Sequence, residues 1–191
     1  MEIFTQLFLG FVIKQYLSKI AVLLGICFSM HSVQALDELE KTDKIKAAYL
    51  FNFTKYIRWQ ESEFITAISP INLCSNASPR FNTFLAQMVK GRTASDNRTI
   101  RIVRLDAVSS KHCHLTYLKT NFISSRHPVI TSLVVGDNAS FLTQGANIHF
   151  FLEGRRIRFE INRSALQKHG LTISSELLKL ARVVDSKAKA P

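Results

Sequence analysis

Glycine and proline are scarce, at 7 and 4 in 191 residues, which excludes collagen-like, low-complexity and linker-dominated chains. Cysteine is scarcer still: three residues cannot build a disulfide scaffold or a Cys-rich zinc module. No segment repeats with a period of about 20–50 residues, so solenoids and propellers are excluded. The sequence also lacks a G-x-G-x-x-G turn, a Walker lysine loop, a G-x-S-x-G elbow and an H-E-x-x-H helix. No catalytic residue, cofactor or metal site is therefore expected. What is present is a hydrophobic fraction of 47% with 14 Phe, ample for a packed core and against disorder. The length favours one domain.

The N-terminus reads as an export signal. Ile20–Met30 is an apolar, uncharged run preceded by Lys14 and Lys19, and Val33 and Ala35 form a V-x-A variant of the small-residue cleavage signal. The run is too short to span a bilayer, which takes about 20 apolar residues. Residues 1–35 are expected to be a cleaved signal peptide, with an uncleaved N-terminal anchor as the alternative. The mature chain then begins at Leu36.

Lys and Arg number 25 against 14 Asp and Glu, a formal net charge of +11. In a cytoplasmic protein that balance points to nucleic acid. An exported chain does not meet the chromosome, so the charge reads as a solvated surface or as attraction to anionic partners. Losing the signal also removes Cys27, which leaves Cys74 and Cys113. An even pair in an oxidising compartment is most simply a disulfide. The alternative is a metal at His112-Cys113-His114, but on a strand the two histidines face away from the cysteine, so one ion cannot take all three.

Along the mature chain, helical apolar spacing over Lys44–Trp59 (Ile45, Ala48, Tyr49, Phe53, Tyr56, Ile57) predicts a four-turn helix with Thr42-Asp43 as its cap. Strands are expected at Ile71–Cys74, Thr99–Leu105, Cys113–Leu118 and Val129–Val135. Short helical segments are expected at Pro79–Met88, Ala107–Lys111, Phe141–Gly145 and Ser164–His169, the last stopped by Gly170. Asn147–Glu153 and Arg156–Asn162 alternate apolar and polar residues around Gly154-Arg155, the pattern of a β-hairpin with a type II′ turn. A last helix is expected over Glu176–Val183, with Leu177, Leu178, Leu180 and Ala181 in the core. Residues 186–191 read as a polar tail. Strands alternating with short helices before a hairpin predict an α/β fold: a single-domain layered sandwich over residues 36–185, with a mixed sheet, short flanking helices and a C-terminal antiparallel hairpin.

Surface chemistry is the positive signal. Phe151 is an aromatic on the polar face of the hairpin, beside Arg156, Arg158 and Glu160 by period-2 alternation. Lys179 and Arg182, three residues apart, are expected on one side of the last helix. These six residues are the candidate partner-binding surface, with the aromatic helix around Tyr49–Trp59 as the next candidate.

The run from Ile45 to Trp59 (IKAAYLFNFTKYIRW) resembles the opening signature of the YfiR/HmsC-like exported proteins of Gram-negative bacteria. The resemblance continues at Leu73-Cys74, Phe84-Leu85, Cys113, Arg156–Asn162 and Leu171–Ala181, in order and spacing. It departs at Gln60, where the family usually has Pro, and in lacking the second cysteine pair that some members carry near the hairpin. The resemblance implies a periplasmic repressor and not an enzyme. Such a protein binds the periplasmic sensor region of an inner-membrane diguanylate cyclase and thereby lowers cyclic di-GMP and biofilm and exopolysaccharide output. Its implied contacts are that cyclase region, with a homodimer left open, no nucleic acid, and the membrane only through the partner. The alternative is a periplasmic small-ligand-binding protein acting on a non-cyclase partner.

Overall fold

The computed structural model describes residues 31–105, 113–119, 133–137 and 146–184. Outside them lie residues 1–30 of the expected signal peptide, the helical turns expected at Ala107–Lys111 and Phe141–Gly145, the start of the strand expected from Val129, and the expected tail. The chain divides into two compact units, Met1–Thr42 and Asp43–Pro191. The fold described below is that of the second.

Helix α1 runs His31–Tyr56 and does not begin at Lys44 as the sequence predicted. No Gly or Pro stands between its ends, so nothing halts the helix at Thr42-Asp43. Its buried stripe is Ala47, Leu50, Phe53 and Thr54, continued by Ile57. Ile45 and Tyr56, expected on that stripe, are 46% and 37% exposed. The helix also stops short of Trp59. The Tyr56 carbonyl accepts the Ser174 N–H at 2.9 Å, and Ile57–Arg58 (β1) pairs antiparallel with Thr172–Ile173 (β8) as a separate two-stranded sheet.

The main sheet holds β2 (Ile71–Ser75), β3 (Ile100–Arg104), β4 (Leu115–Leu118), β5 (Leu133–Gly136), β6 (Ile148–Glu153), β7 (Arg156–Asn162) and β9 (Arg182–Val184). Their order is β3-β2-β4-β5-β6-β7-β9, parallel except for the β6–β7 hairpin. It is the mixed α/β sheet that the alternation of elements predicts. Helix α2 (Pro79–Val89) begins at a proline, with the Ser78 hydroxyl accepting from the Phe81 N–H. Helix α3 (Arg163–Lys168) follows the hairpin and ends before Gly170. That glycine has φ +65°, and a Cβ there would run into the Gln60 amide. Gly154 has φ +60° at the hairpin tip, while Arg155 keeps a negative φ, as a type II′ turn requires.

One expectation fails at the C-terminus. Helix α4 (Ser175–Leu180), capped by the Ser174 hydroxyl, is two turns long. Arg182 lies on β9, parallel to β7, and not on the helix side with Lys179. The β-branched pair Val183-Val184 suits a strand, and pairing with the open edge of β7 replaces the last helical turn. Leu177 is buried as expected, but Leu180 is 62% exposed.

Each strand presents alternate residues to the two faces. One face (Leu73, Leu115, Tyr117, Leu133, Val135, Ile148, Phe150, Phe159, Ile161) packs with α1, α2 and Leu166 and Leu177 of α3 and α4 as the main core. The other carries a smaller cluster of Cys74, Leu105, Cys113, Leu118 and Ala146, with Val103 and Val134 against it. There Cys74 and Cys113 are joined as a disulfide, which disposes of a metal-binding thiolate at Cys113.

Opening that bridge frees a loop of about 40 residues, which costs roughly 3–4 kcal/mol in the chain-entropy view. Cys74→Ser or Cys113→Ser should lower the melting temperature by about 10 °C, and a reductant should do the same to the wild type. Equal melting curves for oxidised and reduced protein would contradict a structural role.

Candidate interaction surface

The hairpin and β9 place one group of side chains on the face away from the helices. Cross-strand partners are Glu153 with Arg156, Phe151 with Arg158, and His149 with Glu160, and Glu160 is beside Arg182. Arg182 joins them: Nη1 donates to Glu160 at 2.8 Å, Nη2 to Glu153 at 3.1 Å, and the guanidinium lies 4.3 Å from the Phe151 ring centre. Arg158 Nε is 3.3 Å from the same Glu153. Beneath them His149 is buried, with Nδ1 3.5 Å from Glu160. Burial holds its pKa below the ordinary value, and Arg182 adds to this, although Glu160 pulls it up. Four of the six candidate residues (Phe151, Arg158, Glu160, Arg182) thus come together. Arg156 is exposed beside the hairpin turn, and Lys179 stands exposed on α4. Sequence reasoning passed over Glu153 and His149, although alternation alone puts both on this face. The ion pairs are half exposed and add little stability. They fix the orientation of two guanidinium groups, that of Arg182 over the Phe151 ring and that of Arg158 beside Glu153.

A second constellation lies at the β3 side of the same face. A cavity of about 620 Å³ opens between β2, β3 and residues 63–70, walled by Phe64, Ile65, Pro70, Val103 and the disulfide. The loop over it is held by Arg98, whose side chain is 4% exposed. Its Nη1 donates to the carbonyls of Thr66 at 3.1 Å and Ser69 at 3.0 Å, and its guanidinium stacks 3.6 Å from the Phe64 ring centre. Phe64 in turn stacks on His114 at 4.6 Å. His114 Nδ1 accepts the Asn72 backbone N–H at 3.0 Å, which assigns the ring proton to Nε2, 3.3 Å from the Glu63 carbonyl. The Trp59 indole donates to the His114 carbonyl. No local pattern marks Arg98 or His114 for this role, because their partners stand 29 to 55 residues away.

At the carboxyl ends of β2, β4 and β5, where open parallel sheets commonly take ligands, two ion pairs from α1 fill the space. Asp43 meets Lys119 at 2.7 Å and Lys46 meets Asp137 at 2.7 Å. Burial pushes the pKa of Tyr117 between them far up, and the two carboxylates push it further. Among the described residues no group of three His, Cys, Asp or Glu could hold a metal.

Compared with known families, residues 43–182 match the one described as YfiR/HmsC-like, well over half of the chain. No curated protein matches it.

The His114 geometry has a pH consequence. Burial holds its pKa below the ordinary 6.5, so the unfolded chain binds the proton more readily than the folded one. The stability the ring supplies is complete above about pH 6.5 and is lost as the pH falls through the lowered value. Protonated Nδ1 would face the Asn72 N–H donor to donor. Melting temperatures from pH 7.5 to 5 should therefore fall, and His114→Asn, which keeps an acceptor but does not titrate, should flatten the decline. His149, shifted in the same direction, supplies the remainder. An identical acid slope in His114→Asn would contradict this assignment.

Proposed function

We propose, because the chain belongs to the YfiR/HmsC-like family, that it binds and represses the periplasmic sensor region of an inner-membrane diguanylate cyclase. Family members are in general periplasmic regulators of diguanylate cyclase and not enzymes, and the buried disulfide is consistent with export. The observation that carries the reading is the span of the match, which runs from residue 43 within α1 to Arg182 and so includes every side chain of the hairpin face. Export is by the N-terminal signal read from the sequence.

Repression of this kind needs no chemistry on a substrate. It needs a surface that fits the silent form of the cyclase better than the active one, so that binding shifts the population. The hairpin face offers a preset array for that: Phe151 under Arg182, with Arg158 anchored on Glu153 and Arg156 and Lys179 free to extend. A signal that weakens this binding releases the cyclase. The cavity of about 620 Å³ favours a second reading, in which a small ligand is bound and the partner is not a cyclase.

Deleting the gene should raise cyclic di-GMP and surface adhesion, and the rise should vanish when the partner cyclase is deleted too. Arg156→Glu and Lys179→Glu should leave the fold intact, since exposed charges seldom contribute more than about 1 kcal/mol, yet weaken repression. Arg182→Ala should do the same by freeing Glu153, Glu160 and Phe151. A gene deletion that leaves cyclic di-GMP unchanged would contradict the reading. Full repression by all three folded variants would move the contact off this face.

A further inference from the structure

Two of the most exposed large apolar side chains in the described part of the molecule are close together. Ile65 is 94% exposed and Ile68 is 88% exposed, against 68% for Leu152 and 62% for Leu180. Scattered surface apolar residues are ordinary, but these two project from one turn whose backbone is pinned. The Ser69 N–H closes a four-residue turn on the Thr66 carbonyl at 3.1 Å, and the Ser69 hydroxyl accepts the Thr66 N–H at 3.0 Å. Arg98 binds both of those carbonyl-bearing residues from below, and its guanidinium carries Phe64, which stacks on His114. A buried cation thus directs both Nη1 hydrogen bonds to a turn that buries neither of its isoleucines, while its Nη2 meets Glu61 at 3.4 Å. Ordering already present before binding is what makes an apolar contact strong, because the entropy of fixing the loop is not lost again.

The charges around the turn indicate what it meets. Between Trp59 and Pro70 the ionisable residues are Glu61 and Glu63, both exposed, in a chain of net charge +11; Glu61 meets Arg98 at 3.4 Å yet its side chain stays 87% exposed. The balancing Arg98 lies buried beneath, and Arg101 is across the cavity. An anionic lipid surface repels such a rim. A two-fold contact between copies of this chain would set the same carboxylates against each other.

We infer that the turn bearing Ile65 and Ile68 is a docking knob for a different protein, one that offers an apolar socket rimmed by Lys or Arg. It rests on the reading that this protein acts by binding, and it adds a contact separate from the hairpin face.

The test uses the full chain in cells that export it, with the photoreactive residue p-benzoylphenylalanine placed at position 65 or 68 and, for comparison, at the exposed Gln167 on α3. Irradiation should give a discrete adduct from 65 and 68 and none from 167. The mapped partner peptide should hold apolar residues flanked by Lys or Arg. With the probe at 65, Ile68→Asp should cut the adduct at least fivefold while the melting temperature stays unchanged. If the adduct is a membrane diguanylate cyclase, the knob and the proposed function both stand. If it is another protein with that peptide chemistry, the knob stands and the cyclase reading fails. No adduct above that of position 167, an adduct with lipid or a second copy of this chain, or a partner peptide without the apolar and basic pattern overturns the inference.

Discussion

The contact on which the rest of the structure depends is Phe53 of α1 against the hairpin. Its ring lies 5.9 Å from Phe150, nearly parallel, and 5.1 Å from Phe159, edge-on, with Tyr49 closing the group at 5.1 Å from Phe159. Such pairs contribute about 0.5–1.5 kcal/mol each beyond the area they bury, and truncating one such ring costs about 3–5 kcal/mol. The position of this wedge decides where α1 can end. Tyr56 then meets Ser174, Ile57 pairs with Ile173, and the chain leaves as the loop that Arg98 secures. The N-terminal helix and the C-terminal elements are thus one packing unit, although more than 90 residues of sequence separate them.

The two faces of the sheet divide the labour. One is filled by helices and supplies the stability of the domain. The other carries the two proposed contacts: the Arg182 cluster on the hairpin and the pinned isoleucine turn beside the disulfide. On both, a guanidinium does the arranging, exposed at Arg182 and buried at Arg98. Arginine suits this task because its planar fork binds two oxygens while its face lies on a ring. For a protein that regulates by binding, rigid display of side chains is the functional property, and the disulfide and the two ion pairs of α1 add to that rigidity.

Much of this was legible in the sequence where the signal is local. The hairpin follows from alternation about Gly154, helix α2 from Ser78-Pro79, and the end of α3 from Gly170, each set by residues within a few positions. The Cys74–Cys113 bond followed from counting what an exported chain retains. Most differences arise where a distant partner decides. Leu177, Leu178 and Leu180 set a helical spacing that continues to Arg182, and only the open edge of β7 makes that residue part of a strand. The start of α1 differs for a local reason: Thr42-Asp43 suits a cap, but no breaker before it ends the helix there. The Arg98 clamp has no local signature, since its carbonyl partners lie some thirty residues upstream and show no side-chain pattern.

The proposed action on a cyclase needs occupancy alone. The most direct measurement is synthesis of cyclic di-GMP by the partner cyclase in nanodiscs, where both membrane faces are open, with purified mature protein titrated in. Synthesis should fall saturably and level off near one protein per binding site, with no nucleotide consumed by the added protein alone. Undiminished synthesis at a large excess of folded protein would contradict it.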